Sequence, residues 1–258
     1  MTTTTPSKPD TRVDSTLSKG LAILEVLTAA KGSLGVSALA RQLGLTKSNT
    51  FRLLQTLVAL GYVRHEPDKT YSATLKTWQV GRAVVENLNL RTAAAPMMKY
   101  LADETSETVY LAVQDGLDVV YIDKIESVKP IRSWNPIGGT APLYCVGTGK
   151  AILAARYGQL RSAIAAVLTA HTDRTLTDMK ALDADMSQTR LRGYALDTGE
   201  FRAGIKRLGA VITLPAGTVV GALGISVPDV NLSDGDEARY GALVQHAASA
   251  TSNALSRL

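Results

Sequence analysis

The sequence predicts an α+β protein with an N-terminal winged helix-turn-helix domain, a linker helix and a C-terminal domain that has a largely antiparallel sheet. Three features of the 258 residues support this fold class. Residues 36–60 show two helical apolar stripes with a glycine turn between them, and residues 62–71 then read as a short hairpin. From Thr108 the apolar period changes from about 3.6 to about 2, and strands, helices and paired strands follow in that order.

The first sixteen residues are expected to form a flexible tail. They are rich in Thr, contain Pro6 and Pro9, and lack the apolar stretch of a signal peptide. From Leu17 onward, apolar residues recur at helical spacing, which predicts a first helix packed across the next two. The winged helix-turn-helix domain is therefore assigned to residues 17–75.

Two helices joined by a tight turn are predicted in residues 36–60. Apolar residues from Val36 to Leu43 share one face of the first helix, and Gly44 ends it because glycine tolerates a left-handed backbone. Thr46 is the expected N-cap of the second helix. The apolar arc of this second helix is predicted to consist of Thr50, Phe51, Leu53, Leu54, Leu57, Val58 and Leu60.

The opposite arc of the second helix is polar and is predicted to contact nucleic acid. Hydroxyl, amide and guanidinium groups bind phosphate oxygens and base edges in a major groove, and amides at a helix start can also face phosphate. Solvated helix faces and protein-binding modules show the same pattern, so those alternatives stay open. The candidate contacts here are Thr46, Lys47, Ser48, Asn49, Arg52 and Gln55.

A β-hairpin, the wing, is expected after the second helix. The segment from Arg64 to Tyr71 surrounds a Pro-Asp turn, which is typical of two short strands. Arg64 and Lys69 are the candidate wing contacts with nucleic acid. Residues 76–92 are predicted as the linker helix, and residues 93–258 as the C-terminal domain.

The excess positive charge is confined to the N-terminal third of the chain. Residues 1–90 contain 11 Lys and Arg against 6 Asp and Glu, whereas residues 91–258 contain 17 of each. A polyanion needs a local positive field, because phosphate neutralisation and counterion release supply most non-specific affinity. The distribution therefore favours double-stranded DNA as the partner of the helix-turn-helix.

Two β-hairpins are predicted in the C-terminal domain, one formed by its first strands and one by its last strands. The first turns at Asp115-Gly116, and the second turns at Pro215. Pro96 is expected either in the first turn of a helix or at a kink. The strands are expected at residues 109–113, 119–123, 204–214 and 219–227, and the helices at residues 91–103, 149–156, 159–170, 178–192 and 234–258.

Composition and motifs argue against a membrane protein and an enzyme. No stretch approaches the roughly 18 apolar residues of a membrane span, and the single cysteine, Cys145, has no intramolecular disulfide partner, so a cytoplasmic protein is expected. Gly147-Thr-Gly-Lys150 lacks the first glycine of a phosphate-binding loop and has Ala151 where Ser or Thr would hold magnesium. We therefore predict no catalytic residue, metal site or cofactor.

Three stretches carry a resemblance to a known family, namely Leu21–Leu24 with Lys47–Leu54 and Leu60–Val63, Gly139–Leu143 with Gly149–Ala154, and Gly193–Glu200 with Gly204–Pro228. Together they make the chain similar, over nearly its whole length, to the isocitrate lyase regulator (IclR) family of bacterial transcription factors. The resemblance implies a winged-helix reader of operator DNA joined to a GAF-like effector domain, in a dimer or a dimer of dimers. It also implies control of catabolic genes by small carboxylates.

The resemblance further implies where an effector binds. The family's pocket is lined by a Gly-x-x-Pro-Leu loop, the start of a Gly-Lys-Ala helix, the strand after Asp-x-x-Glu, and a serine before the closing Val-Pro. The corresponding positions in this chain are Gly139, Leu143, Gly147, Gly149, Asp197, Glu200, Arg207 and Ser226.

The pocket of this chain departs from the family pattern at two positions. Arg207 stands where the family commonly has a pocket-facing cysteine, and Val211 stands where it has a proline. Because a guanidinium binds a carboxylate through two parallel hydrogen bonds, Arg207 favours a carboxylate effector. The alternatives are an internal ion pair with Asp197 or Glu200, or extension of the side chain to solvent.

Arg132 and Trp134 are two further candidates for effector binding. Trp134 suits stacking on an aromatic effector, although a single Trp near a loop also serves as core or surface cover. Three functions stay open at this point: a DNA-binding regulator controlled by an aliphatic or aromatic carboxylate, a metabolic enzyme with a DNA-binding head, and an adaptor that uses its winged helix on protein.

Overall fold

The computed structural model describes residues 14–30, 32–86, 90–233 and 235–256, so most of the predicted tail lies outside the described residues. The chain forms two compact units, Met1–Asn87 and Leu88–Leu258. The first helix begins at Ser15, two residues before its predicted start at Leu17. It begins there because the Asp14 carboxylate accepts hydrogen bonds from the amides of Thr16, at 2.9 Å, and Leu17, at 2.8 Å.

The N-terminal unit combines helices with a small antiparallel sheet. Both helices of the predicted turn motif and both strands of the wing are present, and Gly44 has the expected left-handed backbone, with φ 63°. One strand that the pattern did not predict, too short to show alternation, pairs with the second wing strand. The elements are α1 (Ser15–Ala29), β1 (Leu34–Gly35), α2 (Val36–Gln42), α3 (Lys47–Ala59), β2 (Val63–His65), β3 (Thr70–Ala73) and α4 (Leu75–Glu86).

Two members of the predicted apolar arc of α3 lie outside the core. Thr50 and Leu54 are fully buried, but Phe51 is 49% exposed and Leu60 is 53% exposed. The prediction is wrong for these two residues, because α1 and α2 cover only the part of the arc that is centred on Leu54. A helical wheel defines a direction around the axis, whereas burial depends on how wide the neighbouring elements are.

The C-terminal unit is built on one six-stranded antiparallel sheet in the order β6-β5-β4-β9-β8-β7. Its two edge strands, β6 and β7, have three residues each and were too short for the sequence pattern to predict. The elements are α5 (Leu90–Thr105), β4 (Thr108–Asp115), β5 (Asp118–Ile125), β6 (Thr140–Pro142), α6 (Gly147–Ala155), α7 (Tyr157–Ala165), α8 (Met179–Arg192), β7 (Ala195–Asp197), β8 (Ile205–Thr213), β9 (Val219–Pro228) and α9 (Asp236–Leu255).

The alternation of β8 sends its side chains to opposite faces of this sheet. Arg207 and Gly209 face α6, whereas Leu208 and Ile212 are fully buried on the other face, where α9 packs on β8. The position of α6 against one face matters for function, because it closes one side of the polar site that is described below.

Two helices in the second half of the chain differ from the predicted ranges. The helix expected over residues 159–170 ends at Ala165, because the amide of Thr169 donates to the Tyr144 hydroxyl, at 3.1 Å, instead of to a helical carbonyl. The last helix begins at Asp236, after Gly235 with φ 86°, and its predicted start at residue 234 and end at 257–258 lie outside the described residues.

Pro96 lies inside α5 and not in its first turn, so that alternative is wrong. Proline removes one helical hydrogen bond. Burial of Ala94, Met98 and Leu101, each 2% exposed or less, offsets this loss on both sides of the proline. None of the helices in the described part of the chain is long and apolar enough to cross a membrane.

Candidate functional site

The first candidate surface is the exposed side of α3 in the N-terminal unit. Thr46 caps the helix as predicted, since its hydroxyl accepts a hydrogen bond from the Asn49 amide at 3.3 Å. Burial of Leu53 and Leu54 fixes which side faces outward. The outward side carries Thr46, Lys47, Ser48, Arg52 and Gln55, all exposed, with Asn49 half-buried.

The two predicted contact residues of the wing, Arg64 and Lys69, have different surroundings. Arg64 Nε donates to Glu66 Oε1 at 2.9 Å, and hydrogen bonds from Ser72 and Arg64 lower the pKa of Glu66. Lys69 is exposed at the tip of the turn, where its backbone has φ 64°. The positive charge of Arg64 is therefore partly neutralised by Glu66, while Lys69 projects from the turn.

The second candidate site is a row of buried polar side chains across the large sheet. Asp197 on β7 pairs with Arg207 on β8, Arg207 pairs with Ser226 on β9, and Ser226 pairs with Thr108 on β4. Directly opposed residues of an antiparallel sheet point to the same face. All four are at most 4% exposed, so four strands bring one polar row together inside the protein.

The guanidinium of Arg207 has one nitrogen in an internal ion pair and, among the described residues, two nitrogens that are free to donate. Its Nη1 atom lies 2.8 Å from Asp197 Oδ2, which is the internal pair that the sequence left as an alternative. Within the described residues, its buried Nε and Nη2 atoms have no hydrogen-bond partner. These two atoms form one edge of the guanidinium, the edge that binds a carboxylate through two parallel bonds.

Asp197 is itself fixed by the loop that follows β7. Its Oδ1 atom accepts hydrogen bonds from the amides of Gly199, at 2.9 Å, and Glu200, at 2.5 Å. Burial raises the pKa of Asp197, while Arg207 and the Glu200 amide act in the opposite direction. The carboxylate therefore holds the guanidinium by Nη1 and leaves its Nε/Nη2 edge without a partner among the described residues.

Glycines allow the start of α6 to lie directly on the sheet beside Arg207. A Cβ atom at Gly147 would lie 2.7 Å from the Arg207 carbonyl oxygen, and one at Gly209 would lie 2.6 Å from the Thr148 amide nitrogen. The N-cap residue, Val146, supplies no capping side chain. A helix start favours negative charge, so this approach places an anion-favouring element next to the guanidinium.

Aromatic side chains form walls of the same region. The rings of Tyr110 and Tyr121 lie 4.8 Å apart, and the Arg207 guanidinium lies 5.7 Å from the centre of the Phe201 ring. Burial raises the pKa of Tyr121 to about 12, and Arg207 opposes that rise, so this phenol stays protonated and available as a donor.

The segment between β5 and β6 covers the β4 end of the polar row. Thr108 donates to the Ser133 carbonyl oxygen at 3.0 Å, and the Asn135 amide donates to the Tyr110 hydroxyl at 2.9 Å. Ser133 and Asn135 are at most 8% exposed. These backbone contacts fix both residues above the sheet, close to the tyrosine rings.

Glu200, a predicted pocket residue, is paired elsewhere. Lys150, which is 1% exposed, donates to Glu200 Oε1 at 2.5 Å and to the Leu196 carbonyl oxygen at 2.9 Å, and lies 2.9 Å from Asp185 Oδ2. Burial raises the pKa of Glu200 to about 7, and Lys150 opposes the rise. Lys150 thus supports the loop that carries Glu200 and the Asp197-binding amides, which is a structural role.

The other predicted effector residues divide between packing positions and the surface. Leu143 is buried, and a Cβ at Gly149 would lie 2.6 Å from the Leu143 carbonyl oxygen, while Gly139 is tied to β5 because its carbonyl oxygen accepts from the Tyr121 amide at 3.0 Å. Arg132 and Trp134 are exposed.

Sequence reasoning missed Tyr110, Tyr121, Ser133, Asn135 and Phe201. Strand alternation carries a signal for Tyr110, which lies two residues after Thr108 and hence on its face. The segment with Ser133 and Asn135 has no periodic pattern, so its path over the sheet is visible only in the folded chain.

Comparison with known proteins gives matches over both units. The family described as "IclR helix-turn-helix domain" matches residues 16–67, and "Bacterial transcriptional regulator IclR C-terminal" matches residues 82–253. The transcriptional repressor IclR of Escherichia coli (strain K12) is 33% identical over 245 residues, which cover 93% of this chain and 89% of that protein.

Two solved structures have the same fold along the chain. The IclR of Thermotoga maritima superposes with a TM-score of 0.80 at 29% identity, covering 93% of this chain and 98% of that one. An IclR homologue of Microbacterium hydrocarbonoxydans, complexed with 4-hydroxybenzoate, gives a TM-score of 0.83 at 20% identity, covering 95% and 100%.

Proposed function

The chain belongs to the IclR family of DNA-binding transcriptional regulators, and from this premise we propose that a small-molecule carboxylate controls its binding to operator DNA. Its relatives are regulators, and it is not an enzyme. We further propose that it acts in the cytoplasm on catabolic genes, as a homodimer or a dimer of dimers. The effector acts by binding two arrangements of the protein with unequal affinity.

The observation that supports a carboxylate effector is the unpaired Nε/Nη2 edge of Arg207. Both atoms are buried, and no described residue accepts a hydrogen bond from either of them. A buried donor without a partner costs about 1–3 kcal/mol, and more when the group is charged. A carboxylate satisfies both atoms at once, through two parallel charge-assisted hydrogen bonds.

The walls of the site favour a planar effector. Tyr110 and Tyr121 present a tilted ring pair, and Phe201 lies on the guanidinium, so an aromatic carboxylate finds ring contacts beside its anionic group. The Microbacterium hydrocarbonoxydans homologue, which shares the fold, is complexed with 4-hydroxybenzoate. Its ligand is of this chemical class, which supports an aromatic acid as the effector proposed here.

Operator binding is proposed to use Thr46, Lys47, Ser48, Asn49, Arg52, Gln55, Arg64 and Lys69. We expect Arg52→Ala to weaken operator binding by roughly tenfold, because an exposed guanidinium on α3 that contacts phosphate or a base edge contributes about 1–3 kcal/mol. A mobility-shift titration against operator DNA measures this.

Lys180→Ala is the matched control for this titration, since it also removes one exposed positive charge but lies on α8 of the other unit. The control variant is expected to bind like the wild type. Equal affinities of wild type and Arg52→Ala would instead favour the adaptor alternative, in which the winged helix contacts protein.

The proposal that the effector is a carboxylate is tested by thermal unfolding in the presence of matched ligands. We expect benzoate or 4-hydroxybenzoate to raise the Tm, because ligand at about 100 times its Kd stabilises the folded state by roughly 2.7 kcal/mol. Benzamide has the same ring but no charge, and it is expected to leave the Tm unchanged. An equal rise with the acid and the amide would show that the ring alone is recognised and would contradict the role of Arg207.

A further inference from the structure

Besides Arg207 and Glu200, whose Oε2 atom also has no partner, three buried polar atoms of this region lack a hydrogen bond within the described residues. They are Ser226 Oγ in the row itself and Ser133 Oγ and Asn135 Nδ2 in the segment above β4, each without a hydrogen bond within the described part of the chain. Burial raises the pKa of Tyr110 and the nearby Ser133 hydroxyl acts to lower it, but the two hydroxyls do not form a hydrogen bond of normal geometry. Unsatisfied buried polar atoms are rare in folded proteins, so a group of them over one face of a sheet indicates a missing partner.

The free atoms lie at two separate ends of the site. Arg207 is on β8, whereas Ser133 and Asn135 are held over β4 by Thr108 and Tyr110. In the sheet order, β9 lies between β4 and β8, so the two groups are two strands apart, or about 10 Å at the usual strand spacing. Ser226, on β9, occupies the middle.

The chemistry of the β4 end differs from that of the Arg207 end. The Asn135 Nδ2 atom only donates, and the Ser133 hydroxyl donates or accepts. No cationic side chain is among the unpartnered atoms here, so a neutral oxygen suits this end better than a second carboxylate.

We propose that Ser133 and Asn135 form a second recognition subsite, the distal oxygen subsite, which binds a hydroxyl or carbonyl oxygen at the end of the effector opposite its carboxylate. This rests on the proposed function, since it takes the carboxylate to be bound at Arg207. The effector is thus an acid with a remote oxygen, and the two residues select it over the same acid without that oxygen. A site built to hydrogen-bond a ligand hydroxyl discriminates strongly against the analogue that lacks it.

The test is calorimetry with two ligand pairs, each differing by one oxygen: 4-hydroxybenzoate with benzoate, and 4-oxopentanoate with pentanoate. The full-length wild type is expected to bind the oxygen-bearing member of at least one pair roughly tenfold or more tightly, since a satisfied buried donor is worth about 1–3 kcal/mol. Asn135→Leu, which keeps the volume, is expected to reduce this ratio to about twofold while the affinity for the plain acid stays the same.

Ser133→Ala is the second variant, because it removes a hydroxyl that makes no hydrogen bond of normal geometry with a described residue and leaves the backbone contact with Thr108 in place. It is expected to reduce the ratio by a smaller factor at an unchanged Tm. A ratio that stays at the wild-type value in both variants overturns the distal oxygen subsite alone. Failure of the wild type to bind any of the four acids overturns the carboxylate effector, and this proposal with it.

Discussion

Replacing Arg207 with alanine is expected to abolish carboxylate binding, with the Kd raised at least roughly 100-fold. The Nε/Nη2 edge is free to donate two charge-assisted hydrogen bonds, each of which contributes about 1.5–3 kcal/mol. Loss of both therefore removes roughly 3 kcal/mol or more, and each 1.4 kcal/mol is tenfold in affinity. Calorimetry with the tightest-binding acid of the thermal screen measures the change, and operator binding without effector is expected to stay at the wild-type level.

The alanine variant needs a companion, because it leaves Asp197 buried without its cation. Removing one partner of a buried ion pair costs about 3–5 kcal/mol, so loss of binding and loss of folding would be confused. Arg207→Lys keeps a positive charge beside Asp197 but has no planar edge with two donors. It is expected to fold, with a Tm near that of the wild type, and to bind the acid at least roughly tenfold more weakly. Wild-type affinity in a folded Arg207→Lys variant would refute bidentate binding.

Replacing Gly209 with alanine is expected to destabilise the C-terminal unit by about 1–3 kcal/mol. A Cβ at this position overlaps the Gly147 carbonyl group and lies 2.6 Å from the Thr148 amide nitrogen. These are backbone atoms, so α6 must move off the sheet, and overpacking of this kind carries a cost of that size. In a unit of this length, Tm falls by about 2–4 °C per kcal/mol, which calorimetric unfolding resolves.

Gly158→Ala is the matched control for the overpacking prediction. Gly158 lies in α7 of the same unit, is exposed, and has nothing within 4 Å of the position of an added Cβ. Alanine in a helix interior is favoured over glycine by roughly 0.5–1 kcal/mol, so this variant is expected to unfold at the same or a higher temperature. If Gly209→Ala behaved in the same way, the close approach of α6 to the sheet would be wrong.

The N-terminal unit was largely predictable because its signals are local. The N-cap Thr46, the turn glycine Gly44 and the wing turn each depend on neighbouring residues, and all three are present as expected. Where the prediction was wrong, at Phe51 and Leu60, the deciding factor was how far other helices extend over α3. That factor belongs to tertiary packing and leaves no trace in the spacing of apolar residues.

The candidate effector site was predictable only in part. The resemblance indicated Asp197, Arg207 and Ser226, and the strand pairing places the three side by side. Whether Arg207 would pair internally or face a ligand stayed open, and the structure shows that the internal pair uses only Nη1. One nitrogen of the guanidinium pairs with a protein carboxylate while the other two have no partner among the described residues. Which nitrogens are paired depends on side-chain geometry, and residue types alone do not encode that geometry.

The sequence by itself determined the family, through the resemblance of three stretches to it. It also determined the order of the longer elements, the confinement of excess charge to residues 1–90 and the polar face of α3, because each of these follows from composition or from spacing within one element. Only the tertiary structure decided which side chains share one buried face of the sheet. β4, β7, β8 and β9 meet through contacts distant in sequence, which places Arg207 on the buried face of the sheet. Ser133 and Asn135 lie over the same face, two strands away, because Thr108 and Tyr110 hold their segment there. Local patterns fix what a segment can form, whereas burial and partnership depend on where the other segments lie.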